Sequence, residues 1–159
     1  MSNIKSQDEI IALRESFKKD RKKVVFTNGV FDIIHAGHVD YLIKSKAMGD
    51  ILIVGMNSDA SVRKIKGDER PIVPESQRAF VLSNIKPVDY VVIFQEETPA
   101  RLIEKIIPDI LIKGADWEIN DIVGKDIVIK NGGEVKTIEF VNDQSTSNII
   151  KTILEKYKK

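Results

Sequence analysis

The two histidines of this 159-residue chain stand three positions apart, as His35 and His38, in the stretch Thr27-Asn28-Gly29-Val30-Phe31-Asp32-Ile33-Ile34-His35-Ala36-Gly37-His38. Side chains at that spacing share one side of a helix. An apolar run, Val24-Val25-Phe26, precedes the stretch, and Val39, Tyr41, Leu42, Ile43 and Ala47 follow it at helical intervals. The pattern is a strand feeding a glycine-bearing turn that opens a helix. The first amides of a helix lack intrahelical acceptors and carry partial positive charge, so such a turn suits a phosphate. Imidazoles beside it add further donors to phosphate oxygens.

Other readings use the same residues less fully. Plain surface histidines at a helix start need neither the neighbouring glycines nor Asp32. Zinc would take two ligands from the pair, but there is no cysteine and no third histidine, which leaves carboxylates to complete the shell. A dinucleotide turn needs Gly-x-Gly-x-x-Gly directly after the strand, whereas Val30 and Phe31 follow Gly29. Phosphate fits the stretch best.

The elements that must hold this turn can be read in order. Residues 6 to 19 form a helix with Ser6 or Asp8 at its cap and Ile10, Leu13 and Phe17 on one face, an extension over residues 1–20 at the edge of the domain. The strand Lys23 to Thr27 is apolar almost throughout, as a strand covered on both faces must be. A second strand follows at Ile51 to Met56. Then come a helix from Pro74-Glu75 to about Lys86, a strand at Tyr90 to Phe94, a helix capped at Thr98-Pro99 and ended by Pro108, and a strand at Ile110 to Ile112. Residues 121 to 140 suit either a hairpin about Asn131-Gly132 or a short helix followed by a fifth strand, Glu134 to Phe140. A parallel sheet requires the helix. Ile149, Ile150, Ile153, Leu154 and Tyr157 mark a final amphipathic helix capped at Ser145 or Thr146. Strands alternating with helices predict a single domain over residues 1–159. It is a Rossmann-like, doubly wound α/β fold with a mostly parallel sheet of about five strands.

Ligands of such sheets lie beyond the carboxyl ends of the strands, at the switch point. That rule gathers Asn28-Gly29-Val30-Phe31, Asn57-Ser58-Asp59, Lys113-Gly114 and the Ser145-Thr146-Ser147 turn around one crevice. Residues Lys64 to Arg70 form a charged, glycine-bearing loop, either simply solvated or a flap that closes on phosphates. Ser145-Thr146-Ser147 is either an ordinary helix cap or a second phosphate turn. Asp32 suits a structural acceptor that fixes the first turn.

The motif Gly29-x-Phe31-Asp32-x-x-His35-x-Gly37-His38 resembles the signature of the HxGH nucleotidyltransferases, which include the cytidylyltransferases. The stretch Val54 to Arg63, then Lys66-Gly67, Arg70-Pro71, Lys113-Gly114-Ala115-Asp116 and Ser145-Thr146-Ser147 are similar to the heptose 1-phosphate adenylyltransferase branch. The similarity spans about residues 22 to 155. It implies transfer of AMP from ATP to a sugar 1-phosphate, D-glycero-β-D-manno-heptose 1-phosphate, with release of pyrophosphate. His35, His38 and Lys66 would carry the reaction. Asn28, Gly29, Val30, Phe31, Gly114, Asp116, Ser145, Thr146 and Ser147 would join them in binding the nucleotide, with Arg63 and Arg70 as further phosphate contacts. Mg²⁺ is expected with ATP from the chemistry of triphosphates. Two departures bear on the acceptor. The cytidylyltransferases of glycerol phosphate carry an arginine-threonine pair ahead of the serine-threonine turn, and the heptose branch often has arginine there, where this chain has Gln144. The alternatives are a CTP-dependent enzyme acting on a small alcohol phosphate such as glycerol 3-phosphate, and a nucleotide-binding module without catalysis.

Composition bounds the partners. Lys plus Arg number 25 and Asp plus Glu 24, for a net charge of +1, so no global field favours nucleic acid or an anionic membrane. Cysteine is absent, which excludes disulfide and thiol chemistry. No apolar run approaches about 20 residues, and Met1 to Lys5 holds no signal core, so a cytoplasmic protein is expected. With no kinase segment in the sequence, any kinase step is expected to belong to another chain. By resemblance a homo-oligomer is in keeping, since relatives are often dimers or larger.

Overall fold

A computed structural model describes residues 3–139 and 145–158. Its centre is a six-stranded sheet, every pairing parallel, in the order β1-β4-β3-β2-β5-β6. The strands are β1 (Ile4–Lys5), β2 (Val24–Gly29), β3 (Ile51–Asn57), β4 (Tyr90–Phe94), β5 (Ile110–Gly114) and β6 (Glu134–Ile138). The sheet exceeds the expected five strands by β1, a two-residue edge strand too short to show a pattern, paired with Val91 and Val92. The fifth expected strand ends at Ile138, and Phe140 lies outside the described residues.

Burial on both faces makes the central strands continuous apolar runs. Val24, Val25 and Phe26 are wholly buried, as are Leu52, Ile53 and Val54. One face is covered by α2 (Ala36–Lys46) and α4 (Glu75–Ser83), through Tyr41, Leu42, Ala79 and Leu82. The other is covered by α1 (Gln7–Lys19), α5 (Ala100–Ile106) and α6 (Lys125–Lys130), through Ile10, Phe17, Leu102, Ile103 and Val128. Helices on both faces of a parallel sheet make the fold a doubly wound α/β arrangement.

The caps show which local signals acted. Ser6, not Asp8, caps α1, in a reciprocal capping box with Glu9. Residues 125–130 are helical, and β6 then runs parallel to β5 with Ile110 opposite Glu134, so Asn131-Gly132 stops a helix instead of turning a hairpin. Three expectations need correcting. Pro74 and Pro99 precede their helices as N-cap residues and offer no side-chain cap. The helix after Pro74 stops at Ser83, short of Lys86. α7 (Thr146–Tyr157) forms as expected, yet it buries none of its residues: Leu154 is 63% and Tyr157 79% exposed. Its apolar periodicity is real, but among the described residues the stripe is at most half-covered, at Ile149 and Ile150.

Candidate active site

The sheet order places β2 between β3 and β5, so the connections leaving β2 and β5 diverge and open a crevice at their carboxyl ends. A cavity of about 540 Å³ lies there. That is a size suited to a small-molecule ligand. It is lined by Asn28, Gly29, Val30, Phe31, His35, His38, Lys66, Arg70, Gly114, Asp116, Ser145, Thr146 and Ser147, together with Asp32, Tyr41, Lys113 and Trp117. The residues assigned from the sequence to catalysis, nucleotide binding or phosphate contact therefore all meet in one place, except Arg63. It is exposed on α3 (Asp59–Lys66) and does not line the cavity.

The turn after β2 is shaped by Phe31, which adopts a left-handed backbone with φ 49°. Such a conformation is disfavoured for a bulky residue. Gly29 supplies room for it: a β-carbon there would stand 3.0 Å from the Phe31 ring. The buried ring in turn packs 5.4 Å from that of His38. His35 is the N-cap of α2, in extended conformation, and its side chain makes no capping bond. The start of α2 therefore has neither a side-chain cap nor an acidic residue in its first turn.

The two imidazoles lie 3.9 Å apart, centre to centre. Both Nδ1 atoms are buried and have no hydrogen-bond partner among the described residues. Burial lowers the His35 pKa, and burial together with repulsion from His35 lowers that of His38 to about 4. Both rings are accordingly neutral near pH 7. A neutral ring offers one donor and one acceptor, and an arriving anion favours the cation.

The charged loop differs from the flap expected over Lys64 to Arg70. α3 continues through Lys66, and Gly67 (φ 93°) turns the chain out of the helix. The following segment is then clamped to Asp32, whose carboxylate is almost fully buried. Arg70 Nε donates to its Oδ2 at 2.7 Å, Ile72 N to Oδ2 at 3.0 Å and Val73 N to Oδ1 at 2.8 Å. Burial would raise the Asp32 pKa, but the Val73 and Ile72 amides and the Arg70 guanidinium outweigh it and hold the carboxyl below its usual range. Asp32 is thus the structural acceptor expected of it. Lys66 remains exposed at the rim, while Arg70 keeps its terminal nitrogens beyond the Asp32 contact.

Asn57, Ser58 and Asp59 were expected at the crevice and do not line it. Asn57 Nδ2 donates to Ser61 Oγ at 2.9 Å, Ser58 caps α3, and Asp59 pairs with Arg78 at 2.7 Å. Arg78 went unnoticed in the sequence. Wholly buried, it donates to Val30 O at 2.6 Å, Asn57 O at 2.9 Å and Val73 O at 2.9 Å, joining the ends of β2 and β3 to the clamped segment. The available signal was an arginine one position before Ala79 on the inward face of a helix. Tyr41 was also overlooked as a lining residue; its hydroxyl meets Thr27 Oγ1 at 2.7 Å, and burial raises its pKa. At the far wall the Ser-Thr-Ser turn is a helix cap that also lines the cavity. Ser145 Oγ accepts from Asn148 N as a cap, Thr146 Oγ1 donates to Ile33 O at 3.4 Å, and all three residues face the cavity. Gln144 lies outside the described residues.

A neutral imidazole pair, an uncapped helix start, cations on one flank and a hydroxyl-rich helix start on the other define a site for phosphate esters. The chain belongs to the cytidylyltransferase-like family, whose model matches residues 26–152. It is thereby a nucleotidyltransferase domain. It is 49% identical over 156 residues to the bifunctional protein HldE of Geobacter metallireducens, covering 98% of this chain and 32% of that protein. It is 54% identical over 150 residues to HldE of Wolinella succinogenes, covering 94% and 31%. The chain thus spans about a third of the length of these curated relatives. Among solved structures it resembles a lipopolysaccharide core biosynthesis protein from Thermoplasma volcanium, with TM-score 0.62 and 30% identity over 77% of this chain and 99% of that one. A pantothenate synthetase from Thermus thermophilus matches with TM-score 0.63 at 16% identity over 92% of this chain and 66% of that one, a likeness of fold alone. No helix among the described residues is long and apolar enough to cross a membrane.

Proposed function

We propose that this domain transfers AMP from ATP to a sugar 1-phosphate, D-glycero-β-D-manno-heptose 1-phosphate, yielding ADP-heptose and pyrophosphate. The observation that carries this reading is the imidazole pair, 3.9 Å apart with buried, unanswered Nδ1 atoms at the uncapped start of α2. An acceptor phosphate is already anionic near neutral pH, so the reaction needs positioning and charge stabilisation more than a strong base. The acceptor oxygen bonds to the α-phosphorus, the bond to the bridging oxygen breaks, and the electron pair leaves with pyrophosphate. His35 and His38 donate to the moving phosphoryl group, Lys66 and Arg70 hold the rest of the phosphate chain, and Ser145-Thr146-Ser147 closes the far side.

Mg²⁺ enters with ATP as part of the substrate. Both Asp32 oxygens already accept from protein donors, so Asp116 is the carboxylate that faces the cavity with capacity for a hard cation. Bound there, the ion would screen the triphosphate charge. Adenine and heptose are favoured by the motifs shared with heptose 1-phosphate adenylyltransferases, and the lipopolysaccharide role named for the Thermoplasma volcanium protein supports a sugar acceptor. Pyrophosphate release with ATP or CTP across a panel of sugar and polyol phosphates tests the reading, with mass analysis of the product. Turnover with CTP alone rejects the adenylyl assignment. Nucleotide binding without turnover on any acceptor rejects catalysis.

A further inference from the structure

Most of the shielded cations of this protein are matched by a carboxylate. Arg14 pairs with Asp109, Lys46 with Asp89, Arg70 with Asp32 and Arg78 with Asp59. Lys113 is different. Its Nζ donates to the carbonyl oxygen of Asn28 at 3.4 Å and to Asn28 Oδ1 at 3.2 Å, and it lies 5.0 Å from the centre of the Trp117 ring. No ion pair joins it to a carboxylate among the described residues; Asp116 is the acidic neighbour whose field it feels. Removing an ammonium from water without a counter-charge is costly, and two long contacts to neutral oxygens repay little of that. An anion is the missing partner.

The strand order says which anion. Lys66 and Arg70 follow β3, the histidines follow β2, Lys113 ends β5, and Ser145 to Ser147 follow β6. The β5 ammonium therefore stands next to the histidine turn, between the cationic flank and the hydroxyl flank, and lines the same cavity. We propose that Lys113 contacts substrate directly, its ammonium bonding a non-bridging oxygen of the phosphoryl group that moves. This rests on the reading of the crevice as a nucleotidyl-transfer site. Lys113 gives up no proton. It offsets charge on the phosphoryl oxygens while the acceptor oxygen bonds phosphorus and pyrophosphate departs with the electron pair. Asn28 holds two of its three donors and Trp117 covers one side, which leaves the third donor for substrate.

Burial lowers the Lys113 pKa against the opposing pull of Asp116. The charged form is therefore lost at lower pH than for an ordinary lysine, and a bound phosphate restores it. Of the groups that share the cavity, His35 and His38 are already neutral over the alkaline range, and Tyr41 is held protonated by burial. Lys66 is exposed, and Arg70 donates to Asp32.

The test compares wild type, Lys113→Met and Lys113→Arg in pyrophosphate release from neutral to alkaline pH, with melting temperatures measured alongside. Lys113→Met is expected to lower kcat on the order of 10²-fold and to abolish the alkaline fall of kcat/KM. Lys113→Arg should recover part of the rate and move that fall to higher pH. A Lys113→Met enzyme with wild-type kcat and an unchanged alkaline fall overturns the proposal. So does a Lys113→Arg enzyme as slow as Lys113→Met. If the wild type turns over no nucleotide, the transfer reading fails by itself, and calorimetric binding of inorganic tripolyphosphate then decides on Lys113. Affinity about tenfold weaker in Lys113→Met supports it, whereas equal affinity, or none in either protein, overturns it.

Discussion

The two ends of the sheet treat their polar groups in opposite ways. At the amino end, three aspartates receive backbone amides where strands begin: Asp50 from Lys23 at 2.7 Å, Asp89 from Leu52 at 2.6 Å and Asp109 from Val24 at 2.7 Å. Asp89 also holds Lys46, and Asp109 holds Arg14, whose guanidinium reaches the Ile106 and Ile107 carbonyls as well. At the carboxyl end, both buried imidazole Nδ1 atoms lack a partner among the described residues, no side chain caps α2, and Lys113 bonds only the neutral oxygens of Asn28. Buried polar groups in folded proteins are nearly always satisfied. The saturated end reads as stability, and the unsaturated end reads as a place for a ligand.

The largest effect expected of this contrast is on rate. His35→Ala or His38→Ala should lower kcat by a factor on the order of 10² to 10³, the usual consequence of losing a preorganised donor to developing negative charge. Affinity for ATP should change far less. Steady-state pyrophosphate release checks this, and near-normal turnover in either variant would contradict the role given to the pair.

The amino end should answer in the opposite sense. Asp109→Ala strands the Arg14 guanidinium and the Val24 amide, a loss of about 2–3 kcal/mol. For a domain of this size that lowers the melting temperature by roughly 4–12 °C. kcat measured well below the midpoint should be unchanged. A variant that melts normally, or one that folds but works slowly, would erase the distinction between the two ends.

Asp32 belongs to the working end yet is saturated, so it sharpens the comparison. Its folded-state pKa is depressed, so its contribution is present above the unfolded-state value and is lost as pH falls through the folded one. Amide exchange at Ile72 and Val73 should therefore accelerate below about pH 4, and Asp32→Asn should show fast exchange already at neutral pH. Exchange in Asp32→Asn as slow as in wild type counts against the clamp.

The smallest expected effect is protonic. Burial and His35 hold the His38 pKa down to about 4, and a bound polyphosphate favours its cation. A pKa raised by binding means that affinity strengthens as pH falls through the bound-state value toward the free one and that a proton is taken up on binding. Calorimetry in buffers of different ionisation enthalpy reads that uptake directly. No buffer dependence at mildly acid pH refutes the coupling.

What the sequence determined by itself was whatever local pattern controls. Val24-Val25-Phe26 announced a doubly covered strand, and the capping box at Ser6 and Glu9 started α1. Gly29, Phe31, Asp32 and the histidine pair marked the turn that lines the cavity, because their types and spacing are local features of the chain. Convergence at strand ends was legible too, since a parallel sheet leaves its loops no other place to meet. Tertiary structure decided matters that depend on partners distant in the chain. The Lys64–Arg70 stretch looked like a free flap, until Asp32, 38 residues from Arg70, was found to hold it. Arg78 passed for one more helix residue, because its acceptors, Val30 and Asn57, lie 48 and 21 positions away. The stripe on α7 promised burial that the fold does not provide, since periodicity shows which face of a helix is apolar and not whether anything packs against it. The open valence of Lys113 was equally invisible in sequence, because whether a charge is answered depends on what lies around it in space.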